Sequence, residues 1–206
     1  MSYRQVCPLI PKVSVEEFVQ SLDYKITRLL IQSNVVNSSA FEGIQDGKTA
    51  FIGSKTEGTF VVFVRDELGA GPVQEVREIA VVVQQVPFNS TEKLMASVVK
   101  LPNGKFRAYV KGACKIVLER CATVITHVSS GNWSTVELTC ARQKTLQQTI
   151  TSYAGQCLRT IRSTYHNFDS WAPEGSASED DPSLANFSKI HHSMTLLAIF
   201  GIKDPL

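Results

Sequence analysis

The sequence predicts an α+β fold, a mostly antiparallel sheet flanked by helices. Three observations predict it. Apolar residues recur at helical spacing behind capping signals near both ends of the chain. An Asn103-Gly104 pair separates two apolar runs, a strong hairpin signal. A continuous apolar stretch at residues 194–201 reads as a strand buried on both faces.

The first helix is signalled by Ser14-Val15-Glu16-Glu17, a capping box in which hydroxyl and carboxylate satisfy orphan amides. Val15, Phe18, Val19, Leu22, Ile26, Leu29 and Leu30 then form one stripe, predicting a single helix to about Gln32. Residues 34–52 are polar and contain glycine, and read mostly as loop. Thr56 is placed to cap a second helix over residues 57–68, with Gly69 as its stop. Residues 80–86, rich in β-branched side chains, read as a strand leading to Phe88.

The predicted hairpin joins residues 94–100 to 106–110 through a type I′ turn at Asn103-Gly104. Lys111-Gly112-Ala113 follows as a strand-to-helix junction, then a short helix over 114–120. Ser134-Thr135-Val136-Glu137 reads as a second capping box, opening a helix with Leu138, Ala141, Leu146, Ile150 and Tyr153 on one face and its end near Gln156. Residues 158–165 alternate and read as a strand. Residues 169–189, with Pro173, Gly175, Glu179, Asp180, Asp181 and Pro182, read as a mobile surface insertion.

The 206 residues suffice for one sizeable core, and 43% hydrophobic with 19% charged residues suits a globular domain. A formal net charge of +2 gives no electrostatic case for nucleic acid. Five scattered cysteines with no CxxC argue for free thiols in a reducing compartment. No apolar run reaches the roughly 18 residues of a membrane helix. His191 and His192 are adjacent, and neighbours on a strand point to opposite faces, so they are not taken as metal ligands.

The predicted hairpin brings Phe88, Lys93 and Lys111 into one neighbourhood. An aromatic face with two ammonium groups suits a purine and its phosphates. Local pattern alone favours a blander arrangement, a buried sheet phenylalanine with two solvated lysines.

Five segments carry a family resemblance. Gly53-Ser54-Lys55-Thr56-Glu57 resembles a GNKTE element, and Pro87-Phe88-Asn89-Ser90 with Lys93 and Met95 resembles F-x-S-x-x-K-x-M. Lys111-Gly112-Ala113 resembles a KGA element, residues 158–165 an L-R-x-I-x-x-x-Y strand, and Gly201-Ile202-Lys203-Asp204-Pro205 a G-[IL]-x-D-P hinge. In this order, over residues 53–206, they resemble the nucleotide-binding domain of P-type ATPases, most of all calcium-transporting pumps of the plasma-membrane and fungal vacuolar type.

The resemblance implies a single nucleotide-binding domain, residues 1–206, excised from a larger membrane pump. Its ligand would be ATP, as Mg-ATP in the full-length pump. Phe88 would stack on adenine, Lys111 line the pocket beside Gly112, and Lys93 and Arg159 reach the phosphates. Glu57 and Thr56 would border the base, and Asp204 belong to the hinge, meeting ribose or metal when domains close. For Thr56 a plain helix cap, and for Arg159 a solvated strand position, are the alternatives. Ser90 stands where relatives often carry Arg, and Lys115 where they often carry Glu. The DKTG, TGES and GDGxND elements of the family are absent. The chain would therefore bind ATP and transfer nothing alone, with the phosphorylation and actuator domains of the same pump as partners and calcium carried by its membrane part. Alternatives are the same domain of a pump for another cation, or a regulatory or protein-interaction module that has lost the nucleotide.

Overall fold

Ser14 caps the first helix through the predicted reciprocal pair with Glu17, at 3.1 and 2.8 Å. The structure, a computed structural model, describes residues 2–7, 14–45, 47–127 and 133–203. Strand β1 (Ser2–Cys7) precedes helix α1 (Val15–Ser21). The single helix expected to Gln32 is instead two, because Asp23 supplies a new cap to the Ile26 amide and opens α2 (Tyr24–Val35). A stripe of apolar residues does not reveal such a break when both halves face one core.

Residues 34–52, read mostly as loop, contain a hairpin of β2 (Phe41–Gln45) and β3 (Lys48–Ile52), a separate two-stranded sheet. Helix α3 (Lys55–Asp66) is capped by Ser54, which takes the amide of Glu57; Thr56 lies inside the first turn. Helix α4 (Val73–Ile79) follows, then β4 (Val81–Asn89), β5 (Leu94–Lys100) and β6 (Phe106–Ala113). The β5–β6 hairpin is present, but not with a type I′ turn. Only Gly104 has positive φ, at +82°, and the Gly104 amide donates to the Leu101 carbonyl across Pro102 and Asn103. Pro102 favours that tighter first bend because its ring pre-sets φ.

Helix α5 (Cys114–Leu118), β7 (Cys121–His127) and β8 (Trp133–Glu137) come next. The second expected capping box, at Ser134, is thus strand. Thr139 caps α6 (Cys140–Gly155) in its place. Strands β9 (Leu158–Phe168) and β10 (Met194–Lys203) close the fold.

The main sheet has eight strands, ordered β4-β5-β6-β9-β10-β7-β8, with β1 also paired to β10. Among the described residues only the β10–β7 pair is parallel. One edge of β10 is shared: Met194 to Leu196 pair with β7, while residues 199–203 pair with β1. Helices α1 to α4 cover one face, where Leu197, Phe200 and Ile202 meet Phe18, Leu30, Phe60 and Phe63. Helices α5 and α6 cover the other, where Leu196 and Ile199 meet Val117, Leu146 and Ile150. The continuous apolar character of β10 follows from burial on both faces. No helix among the described residues is long and apolar enough to cross a membrane.

Between β9 and β10, residues 169–189 form no strand or α-helix. They are tied to the edge strand β4, where the Gln84 amide both accepts from the Ala185 amide and donates to its carbonyl, each at 2.9 Å.

Candidate functional site

Two T-shaped ring contacts fix where α3 sits. Phe60 and Phe63 meet Phe200 at centroid distances of 4.9 and 5.6 Å, and such pairs contribute about 0.5–1.5 kcal/mol each beyond their burial. This anchors the N-terminal turn of α3 over β6 and β9. The ends of β4 and β5 complete a cavity of about 700 Å³ lined by Ser54, Thr56, Glu57, Phe60, Phe88, Ser90, Lys93, Met95, Lys111, Gly112, Ala113, Arg159, Thr160 and Ile161. That volume is in the range of small-molecule sites.

Seven residues singled out from the sequence line this one cavity: Thr56, Glu57, Phe88, Lys93, Lys111, Gly112 and Arg159. Asp204 lies outside the described residues. Phe88 is not buried in the sheet as local pattern favoured. It is 63% exposed, at the end of edge strand β4.

Lys111 is equally unlike a solvated lysine, at 4% exposed. Alternation along β6 puts it on the same face as Tyr109, toward α2 and α3. Its ammonium stands 4.9 Å from the Phe60 ring centroid and has no hydrogen-bond partner. Burial pulls its pKa down to about 8, with the Glu57 carboxylate opposing that and Arg77 adding to it.

Glu57 keeps 9% exposure. Its Oε1 accepts from the Ser39 amide at 2.8 Å, and its Oε2 from the Ser39 and Ser54 hydroxyls at 2.8 and 3.1 Å. Burial pushes this carboxyl up, but the Ser39 hydrogen bonds, the Lys111 charge and the Ser54 hydroxyl together leave it below its ordinary value. Arg159 crosses from β9 to α3, donating to the Thr56 hydroxyl at 3.1 Å.

Lys93 sits in the left-handed region, φ +52°, closing the turn after Asn89; its amide donates to the Asn89 carbonyl at 2.6 Å. Gly112 lies opposite Leu94 in the β5–β6 ladder. A Cβ on Gly112 would stand 2.7 Å from the Lys93 carbonyl oxygen and 2.9 Å from the Leu94 Cβ. The chain itself therefore demands glycine here.

Sequence reading missed Phe60, whose ring faces the Lys111 ammonium. The signal was available, since Phe60 follows Glu57 by three positions and so shares its helical face. It also missed Ser39, which carries no local signal at all.

Electrostatically the cavity sets three cations, Lys93, Lys111 and Arg159, against one carboxylate. That balance suits an anionic ligand with an apolar, planar part for the Phe88 ring. Among the described residues Glu57 is the one acidic side chain that lines the cavity.

The family described as P-type ATPase, cytoplasmic domain N, matches residues 25–206. Calcium-transporting ATPase 2 of Cryptococcus neoformans is 38% identical over 176 residues, 83% of this chain and 12% of that protein. The plasma-membrane-type calcium-transporting ATPase 2 of Arabidopsis thaliana is 38% identical over 182 residues, 87% of the chain and 16% of the relative. A putative plasma-membrane-type calcium-transporting ATPase 11 of Arabidopsis thaliana is 32% identical over 203 residues, 98% of the chain. The chain spans 12% to 18% of the length of these relatives.

Proposed function

The chain belongs to the family of P-type ATPase cytoplasmic N domains, and on that premise we propose that its cavity binds ATP and presents the γ-phosphate to an aspartate elsewhere in a longer calcium-transporting pump. The observation that carries the reading is the Lys111 ammonium, buried without a hydrogen-bond partner in the same cavity as the exposed Phe88 ring. A buried polar group without a partner is costly, and a ligand acceptor relieves that cost.

In this reading the adenine lies against Phe88, with Lys111 and Gly112 behind it. Glu57 accepts from the exocyclic amine, and Thr56 borders the base. Lys93 and Arg159 neutralise phosphate charge, the guanidinium with its planar fork of donors. Asp204 serves the hinge to the acceptor domain. None of these groups acts as a base; transfer depends on in-line positioning and charge neutralisation. Residues 1–206 hold no DKTG segment, so the chain alone transfers nothing. Calcium as the transported ion and a plasma membrane as its place rest on what the relatives are called, and a vacuolar membrane on the sequence resemblance.

A base–aromatic stack contributes roughly 1–3 kcal/mol and exposed charge pairs about 0–1 kcal/mol each. About 4 kcal/mol corresponds to a millimolar dissociation constant, which is the affinity expected for this chain by itself. A chemical-shift titration with ATP tests it. Movement of Phe88, Lys111 and Gly112 resonances supports the site. Shifts confined to another face, or a Tm unchanged at several millimolar ATP, would leave the cavity without a nucleotide.

A further inference from the structure

We propose that Ser39 is a positioning residue for the Glu57 carboxylate, holding it with one acceptor site free for a purine whose exocyclic amine is on C6, as in adenine. The inference rests on the nucleotide reading above and adds to it a residue that touches no ligand.

An ionised carboxylate offers about four lone-pair sites and no donor. Ser39 fills one on each oxygen, by its amide on Oε1 and its hydroxyl on Oε2, both at 2.8 Å. Ser54 takes the second site of Oε2 at 3.1 Å. What remains is one lone pair on Oε1. The two bonds from Ser39 also fix the carboxylate plane, which a single contact would leave free to rotate. A base with an amine there is accepted. One with a carbonyl there, as in guanine, sets oxygen against oxygen.

The surrounding chain is built to hold Ser39 in place. Among residues 33–40 every residue is buried except Ser39. Arg77 donates to the carbonyls of Val35, Ser38 and Ala40 at 3.1, 2.9 and 2.6 Å, bracketing it on both sides. The Asn37 amide reaches the Tyr109 carbonyl at 3.2 Å, and the Ser97 hydroxyl reaches the Val36 carbonyl at 3.2 Å. Gly53 closes on Ala40 so tightly that a Cβ would meet the Ala40 Cα at 2.9 Å. Residues 36–40, which form no helix or strand, are thus pinned to α4, β5 and β6, and the side chain this stretch turns outward is the one that meets Glu57. The lowered pKa of Glu57 agrees with this arrangement.

The test compares the 206-residue chain with S39A and S39T, by calorimetry with ATP and GTP and by 13C carboxyl titration of Glu57. The wild type is expected to prefer ATP. S39A should weaken ATP about 3- to 10-fold, the worth of one hydrogen bond, leave GTP within about twofold and raise the Glu57 pKa. S39T, which keeps the hydroxyl, should restore both. S39C, a weaker donor of similar size, carries the same expectation should S39A not fold. If S39A lowers only Tm, keeping the ATP-to-GTP ratio and the Glu57 titration, Ser39 is merely structural and the inference is overturned while nucleotide binding stands. Equal wild-type affinity for ATP and GTP overturns it too. A wild type that binds neither nucleotide removes both the inference and the reading beneath it.

Discussion

The Lys111 ammonium lies 4.9 Å from the centre of the Phe60 ring, and both side chains are buried. The ring's negative face attracts the cation, yet supplies no hydrogen-bond acceptor of ordinary strength. Charge is kept in the fold at a cost to stability. Lys111→Met keeps the length of the chain and removes the charge. It should raise stability by about 1–3 kcal/mol, with Tm up by about 2–8 °C, and abolish measurable ATP binding. Thermal melts with and without ATP check both halves.

The same lysine sets a pH dependence of opposite sign for stability and for binding. Its pKa falls from 10.5 in the unfolded chain to about 8 in the fold. Between those values the unfolded chain binds more protons, so stability rises with pH across that window. ATP affinity should instead be flat to about pH 7 and fall as pH passes 8, because the ammonium is lost. In Lys111→Met the stability trend should flatten. Denaturant melts and calorimetry at pH 7, 8 and 9 show whether the two curves cross as described.

Phe88 tests the stacking surface without disturbing the core. With its ring 63% exposed, Phe88→Ala should change stability by no more than about 0.5 kcal/mol. Loss of a stack should nevertheless weaken ATP by about tenfold or more. Phe88→Trp should retain binding. An alanine variant with unaltered affinity would place the base elsewhere.

Gly112→Ala probes the close approach of β6 to the turn before β5. The added methyl meets the Lys93 carbonyl oxygen at 2.7 Å, and backbone cannot swing aside as a side-chain tip can. Destabilisation of about 1–3 kcal/mol is expected, read as a lower urea midpoint. Because Lys93 shares that turn, ATP affinity should fall with it.

Arg162 is fully buried, and its guanidinium meets no acceptor stronger than the Cys114 thiol. Its nearest ionisable neighbours, the Cys114 and Cys121 thiols, are themselves pushed upward by burial, Cys121 to about 12. They therefore stay neutral and give the guanidinium no counter-charge. Arg162→Met should be neutral or stabilising by about 1–4 kcal/mol in a denaturant melt, with ATP binding unchanged.

Elements whose signals are local were legible. Ser14 and Glu17 report a helix start because both partners lie within four residues, and β10 reports itself because burial on two faces makes residues 196–202 continuously apolar. Elements whose signals compete were misread. Asp23 interrupts an unbroken apolar stripe, and Ser134 to Glu137 look like a cap but pair with β7. The hairpin of β2 and β3 escaped notice because only its partner strand and the helices beneath give its polar, glycine-containing residues an extended form.

Residue types in order were enough to say which side chains should meet. From Lys55 to Arg159 their chemistry is written in short segments, and chain connectivity alone carries the list. How each one meets the cavity was decided by packing over distances no local pattern spans. Lys111 is buried because Phe60, held by Phe200, closes over it. Phe88 is open, at the end of the edge strand β4, a state its own segment does not announce. Ser39 meets Glu57 because Arg77, 38 positions on, holds the carbonyls on either side of it. Identity is a property of the chain; solvation and hydrogen-bond partnership belong to the fold, and those set charge.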